Sequence, residues 1–490
     1  MPRITRRDFL ASGLVAVGAA LAGPAVWRRA LAAPAQTGPG PYGPLLAPDS
    51  NGVRLPEGFS SRVIARSQAL VAGTAYIWHT FPDGGATYPT DDGGWIYVSN
   101  SEVPGGLGGA GAIRFGAEAQ IVDAYPILTG TSSNCAGGPT PWGTWLSCEE
   151  TDTGRVWEAD PFGVEMAVVH AAMGVFTHES AAVDDIHKRV YLTEDEGDGR
   201  FYRFTPLSYP DLDAGLLEVA RVHDLNTVEK GGRSPVSWIE VPDPSASSAP
   251  TRTQVTTSTP FDGGEGTWFD SGVVYFTTKG DNRVWAYDTD TDAIELLYDI
   301  ALTPDPPLSG VDNVFMSSAS GDLYIAEDGG DLQVVLITPD RVVAPLLQVT
   351  GAEHDGSLGI PASELAGPAM DPGQNRFYFS SQRGAGFGIT YEITGPFRQS
   401  RVLASSTVVR NDDDDQSVVA GRQVTNSVGG DATLPRTGPT SADPPARSGS
   451  SSDSRGNGLR TAAASAAAAA AAALAADTTR RKRSEPEADS

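Results

Sequence analysis

A short phrase recurs along this chain: an apolar residue, an aromatic one, a second apolar residue, then a polar group. It reads Ile96-Tyr97-Val98, Val190-Tyr191-Leu192, Val274-Tyr275-Phe276, Leu323-Tyr324-Ile325 and Phe377-Tyr378-Phe379, with Trp145 heading a looser sixth copy. The apolar spacing alternates and does not follow a helical period, which predicts strands. Turn signals precede most copies, as in Asp92-Gly93, Asp270-Ser271-Gly272, Ser320-Gly321-Asp322 and Asp371-Pro372-Gly373, so each copy is expected to close a hairpin. The aromatic positions 97, 145, 191, 275, 324 and 378 are separated by 48, 46, 84, 49 and 54 residues. Most of those intervals suit a four-stranded blade. The pattern predicts an all-β fold, a six-bladed β-propeller over 33–396. The long interval is expected to hold an insertion at about 207–262, whose stretch 234–260 is rich in Pro and Ser. The repeated aromatics are expected to pack between blades.

Composition agrees with many turns and short strands, with 56 Gly and 36 Pro in 490 residues. The formal net charge of −26 repels nucleic acid and anionic membranes, which removes both as partners. It suits a cation-rich exterior.

Both ends differ in character from the middle. Arg6 and Arg7, followed by Phe9, Leu10 and a Gly/Ala-rich apolar run over 10–22, resemble a twin-arginine export signal, with cleavage expected after Ala32. That run is too short for a stable membrane span. The twin-arginine route carries folded chains, which suits a protein that assembles a metal site before export. The tail, 397–490, has an Asp run at 412–415, Ser/Pro/Gly-rich sequence, poly-alanine and a basic cluster at 480–483, and is expected to be disordered. Within it, Leu434-Pro435-Arg436-Thr437-Gly438 resembles an LPxTG sorting signal for cell-wall attachment, although the apolar run over 462–476 lies well beyond it.

Candidate chemistry gathers near the repeats. The stretch NCAGGPTPWGTWLSCEE, from Asn134 to Glu150, holds the only two cysteines beside two carboxylates. Soft sulfur and hard oxygen together can hold a transition metal beside a harder cation. Two cysteines do not make a disulfide framework, though Cys135 and Cys148 could form one bridge in an oxidising compartment. The functional alternative is a single thiolate ligand, assigned to Cys148. Three residues after each aromatic stand Asn100, Cys148, Glu194, Thr278, Glu327 and Ser381; ten to twelve before stand Asn134, Glu179, Glu265 and Asp312 with Asn313. A hairpin sets the start of its first strand beside the end of its second. These pairs are therefore expected to converge at one mouth of a central channel. So many carboxylates repel one another unless cations neutralise them. Glu149 is expected to join Cys148, while Glu150 is expected to point to the other face. Glu102 is a further candidate ligand, and Asp195 shares the role of Glu194. His178 is read as a ligand or a donor to one, Asp328 as a turn residue, and Asp184 and Asp185 as solvated loop charges.

The same stretch resembles the signature of the PhoX family of exported alkaline phosphatases, and SNSEV, FTHES, Glu265-Gly266, VDN, AEDGG and SELAG follow in the family's order over about 56–396. The resemblance implies a six-bladed propeller with two ferric ions, calcium ions and a bridging oxo group that attacks phosphate monoesters. It maps the thiol ligand to Cys148 and the iron or mixed-metal carboxylates to Glu149, Glu179 and Glu265. The calcium side takes in Glu194, Asp312 and Glu327. It also implies an arginine two positions before Glu265, where this chain has Gly263. Lys279 or Arg383 is expected to approach the mouth in its place. Two other readings compete. GEGTWFDSGVVYF also looks like a strand of gluconolactonase-type propellers, which implies a calcium-dependent lactonase or organophosphate hydrolase. Gly263 and the tail suit a noncatalytic, metal-stabilised surface propeller.

Overall fold

The computed structural model describes residues 34–400. The leader at 1–32 and the LPxTG-like segment lie outside these residues, as does the tail from 401 onward. The described chain is almost wholly β and propeller-like, with one short α-helix, Leu225–Glu229. No helix among the described residues is long and apolar enough to cross a membrane.

Six inner strands set the plan: Pro82–Pro89, Asn134–Pro139, His178–Asp184, Gly264–Asp270, Val311–Met316 and Leu365–Met370. Each packs on the next, and the last packs on the first, so they ring an axis. Each begins an antiparallel meander that runs outward. The first sheet, for example, is completed by Trp95–Ser101, Gly108–Phe115 and Ile121–Thr131. Four of the meanders belong to separate sheets. The third and fourth are joined through Arg233–Glu240 into one sheet of nine strands. The segment 207–262 supplies both that joining strand and Asp211–Val222, the fourth strand of the third meander. The N-terminal segment closes the ring. Ser60–Arg66 forms the outer strand of the last sheet, beside Ile389–Thr394. Gln36–Thr37 and Val53–Arg54 pair with Val342–Val349 at the edge of the fifth. Covering free edges in this way removes templates for unwanted pairing.

The repeated aromatics lie between sheets. Tyr97 stacks on Tyr378 with ring centroids 5.0 Å apart, which joins the first meander to the last. Tyr191, Tyr275 and Tyr324 are each fully buried in clusters that span neighbouring meanders. Burying one such side chain contributes on the order of 1.5–3 kcal/mol, so these contacts dominate the cohesion of the ring.

Candidate metal centre

All six inner strands carry the same irregularity. Two residues near the strand's start oppose one on the second strand, a β-bulge. The shifts fall between Pro82 and Gly85, Asn134 and Gly137, His178 and Ala181, Gly264 and Thr267, Val311 and Val314, and Ala366 and Ala369. The second residue of each inner strand, read in order, is Asp83, Cys135, Glu179, Glu265, Asp312 and Ala366. A small or polar residue follows each: Gly84, Ala136, Ser180, Gly266, Asn313 and Gly367. Space explains that choice. A Cβ on Gly84 would lie 2.5 Å from the Ala136 Cα, and one on Gly266 would lie 2.5 Å from the Val314 backbone nitrogen. The cavity that these residues line measures only about 20 Å³, roughly the room for one water.

A second ring stands just beyond the second strand of each meander: Glu102, Glu150, Asp195, Lys279, Asp328 and Gln382. The two rings, with Glu364 just before the last inner strand, form three groups whose ligand atoms lie within 4.8 Å of one another: Cys135 with Glu150 and Glu179; Glu179 with Glu265 and Asp312; and Asp83 with Glu102 and Glu364. Glu179 belongs to two of them. It is 0 % exposed, and neither of its carboxylate oxygens has a hydrogen-bond partner. An orphaned buried carboxylate is costly. Burial, then Glu265, Glu150 and Asp312, push its carboxyl well above the usual range. Burial also lifts Asp83 to about 7, with Glu102 adding to the shift, and Glu265 to about 8, with Asp195 adding. Burial likewise raises Asp312, Glu150, Glu364 and the Cys135 thiol. Such a set ionises together only around cations. One group has a sulfur donor and two offer oxygen alone, so the residues present fit both a transition metal and harder cations.

A family model described as alkaline phosphatase PhoX matches residues 99–158 and 152–295. The PhoX of Pseudomonas fluorescens, solved in complex with vanadate, a transition state analogue, superposes with a TM-score of 0.58 at 17% identity, covering 74% of this chain and 98% of that one. Over 99–295 this chain is similar to the PhoX family. A gluconolactonase from Xanthomonas campestris superposes less well, with a TM-score of 0.39 at 13% identity over 73% of this chain and 99% of that one. No curated protein sequence matches the chain significantly.

The expected ligands divide. Glu179, Glu265 and Asp312 meet in one group. Cys148 does not join them. It is 0 % exposed and packs with Leu146, Val156, Phe176 and Tyr202 in an apolar core. Its register position opposes the bulge, as do those of Asn100, Thr193 and Thr277. Those three side chains donate to bulge carbonyls of the next meander: Asn100 to Cys135 and Ala136, Thr193 to Glu265, and Thr277 to Asp312. The position therefore holds neighbouring meanders together. The thiol at the centre is Cys135, and both cysteines are free.

Glu149, Glu194 and Glu327 also lie outside the three groups, each as the last residue of a second strand. They satisfy loop and core donors instead. Glu149 accepts from the Ser132 backbone N–H at 2.9 Å. Glu194 accepts from the Tyr202 hydroxyl at 2.8 Å and the Arg200 N–H at 3.1 Å. Glu327 accepts from the N–H groups of Ser309 and Gln333, each at 2.9 Å. His178 faces away, with Nε2 3.1 Å from the Gly174 carbonyl and its ring stacked on Phe176. Glu150, Asp83 and Glu364 are the cluster members that the sequence reading set aside or missed.

Two cations of the chain reach the mouth. Lys279 Nζ lies 2.6 Å from Glu265, 3.3 Å from Asp328 and 3.8 Å from Asp195. Arg383 lies 2.6 Å from Glu364 and 3.8 Å from Glu102. Gln382 Nε2 donates to Asp83 and Glu102.

Proposed function

We propose that this chain is a metal-dependent phosphatase that hydrolyses small phosphate esters at the mouth of a six-bladed propeller, with ferric iron and calcium as its cations. The observation that carries this reading is Glu179, a buried carboxylate with two unpartnered oxygens, shared between a sulfur-containing group and an all-oxygen group. The match of 99–295 to the alkaline phosphatase PhoX family model supports the reaction class. The count of six follows if the nine-stranded sheet is two blades joined edge to edge through Arg233–Glu240.

Cys135, Glu150 and Glu179 would hold the iron side. Glu179, Glu265 and Asp312 would hold the shared position, and Asp83, Glu102 and Glu364 a calcium. Bound there, the cations would stabilise the negative charge that develops on a phosphoryl group. The chain's own residues do the rest. The bulges aim the ligands at the axis, and the small residues beside them let neighbouring inner strands approach closely. Arg383 supplies fixed positive charge beside the mouth, where bidentate guanidinium contact suits a phosphate. The paired Arg6 and Arg7 support export by the twin-arginine machinery, and Leu434 to Gly438 support wall attachment.

The test combines elemental analysis of purified protein with p-nitrophenyl phosphate hydrolysis, before and after chelation. Bound iron and calcium, with hydrolysis lost on chelation and absent in Glu179→Gln, are expected. Metal-replete wild type that cleaves no phosphate ester overturns the reading, as does an active Glu179→Gln variant.

A further inference from the structure

Lys279 shares a carboxylate with a candidate metal position. Its ammonium lies 2.6 Å from Glu265 Oε1, and Glu265 is also a member of the group with Glu179 and Asp312. One carboxylate is thus claimed by an internal cation and by a candidate metal position. Around it stand more acids than one lysine can balance: Glu150, Glu179, Asp195, Asp312 and Asp328. A divalent cation between Glu179, Glu265 and Asp312 competes directly with the ammonium for Glu265.

The side chain can give way. Lysine carries a compact charge on a flexible stem with three rotatable donors. Lys279 is about a third exposed, and Asp328 and Asp195 stay within 3.3 and 3.8 Å to keep it at the mouth once Glu265 is lost. The neighbouring backbone leaves room as well. Gly263, at φ 67°, has no side chain, and a Cβ there would point at Asp195 and at the Lys279 Cβ, 3.7 Å away.

We propose that Lys279 is a displaceable counter-ion: it occupies Glu265 in the metal-free protein, yields that carboxylate to a cation, and then presents its ammonium to a phosphate at the mouth. The second half rests on the phosphatase reading, whereas the first does not. Lysine here serves the empty site as a placeholder and the loaded site as a substrate contact. No covalent step is involved.

The experiment uses the full chain, stripped with chelator, and two variants, Lys279→Met and Lys279→Arg. Calcium is titrated against the thermal midpoint, and inorganic phosphate is then titrated into the metal-loaded protein by calorimetry. Lys279→Met is expected to melt earlier without metal. It should half-saturate at about tenfold less calcium and bind phosphate about tenfold more weakly, the size of one charge-assisted contact. Lys279→Arg should keep phosphate binding and require more calcium than wild type, because its planar fork grips Glu265 more firmly. This second variant decides the matter even if Lys279→Met fails to fold. Calcium binding that is unchanged or weaker in Lys279→Met, or unchanged in Lys279→Arg, overturns the counter-ion role. Equal phosphate binding by wild type and Lys279→Met overturns the substrate contact alone. Wild type reloaded with both iron and calcium that binds no phosphate overturns that contact together with the phosphatase reading.

Discussion

Two sides of the same axis solve the problem of buried acid in different ways. Around Asp83 the chain supplies its own relief: Gln382 donates to Asp83 and Glu102, and Arg383 pairs with Glu364 at 2.6 Å. Around Glu179 its one cation, Lys279, pairs with Glu265 and leaves Glu179 itself without a partner; that carboxylate is fully buried with both oxygens orphaned, between a thiol and three further acids. The difference marks where the demand for an external cation is greatest. Arg383 and Gln382 make the Asp83 side tolerable when empty, whereas Lys279 offsets Glu265 but not Glu179, and that side is built to be completed from outside.

The sharpest way to break this comparison is Glu179→Gln. Loss of the shared ligand is expected to cut hydrolysis by two to three orders of magnitude, as for other preorganised electrostatic groups. The metal-free variant should nevertheless melt later than metal-free wild type, because a neutral amide replaces an unpaired buried acid. Activity assays and calorimetry on chelated protein read the two opposite signs. Arg383→Met on the other side should behave in reverse. Stripping the partner from buried Glu364 is expected to destabilise the metal-free protein by about 3 kcal/mol, measured by denaturant titration. Calcium should restore most of that loss.

The two cysteines sharpen the contrast at smaller scale. Cys135→Ser is expected to lower bound iron at least tenfold by elemental analysis, since it removes the one soft donor. Cys148→Ala should leave metal content and hydrolysis unchanged and cost about 1–2 kcal/mol of stability, the effect of a small void in an apolar core.

Why the sequence pointed to the wrong cysteine is a matter of register. The aromatic phrases lie in the second strands and mark the repeat well, because inter-sheet packing demands a large side chain at each copy. They do not mark one constant position. Tyr97 and Trp145 stand four residues before the ends of their strands, at Ser101 and Glu149. Tyr191, Tyr275, Tyr324 and Tyr378 stand three before theirs. Counting a fixed interval from each aromatic therefore slips by one in the first two copies, and one residue moves a side chain to the opposite face. Undoing the slip moves the count from Cys148 only to Glu149, the counterpart of Glu194 and Glu327, while the second ring, with Glu150 in it, stands one residue further on. The bulges hide the rest, since an extra residue breaks strict alternation where the ligands sit. Glu179, Glu265 and Asp312 were legible because distance from the aromatic was allowed some latitude; Cys135, ten before Trp145, falls in the same window, where Asn134 was chosen instead. A better signal lay in the doublets Asp83-Gly84, Cys135-Ala136, Glu179-Ser180, Glu265-Gly266 and Asp312-Asn313, a ligand followed by a residue small or polar enough for a crowded axis.

The mildest test of the comparison uses acids that serve the frame and not the cluster. Burial lifts Glu194 to about 7 and Glu327 to about 8, in spite of their hydrogen bonds. In the unfolded chain both titrate near the ordinary value of about 4.3. Between those limits the folded protein binds more protons than the unfolded one, so its stability falls as pH rises. Their stabilising contribution is complete below about pH 4, declines through the interval, and is gone once pH passes the folded values. Chelated protein should therefore melt progressively earlier from pH 5 to pH 8, and Glu194→Gln and Glu327→Gln should each flatten that slope. The cluster acids Asp83 and Glu265, lifted to about 7 and 8, add to the same slope only while the cations are absent. Saturating calcium binds their ionised form, so it should cancel the cluster's share of the slope and leave the share due to Glu194 and Glu327. A slope that calcium abolishes entirely would mean that these two acids also answer to the metals, and the division between frame and centre drawn from their hydrogen bonds would fail.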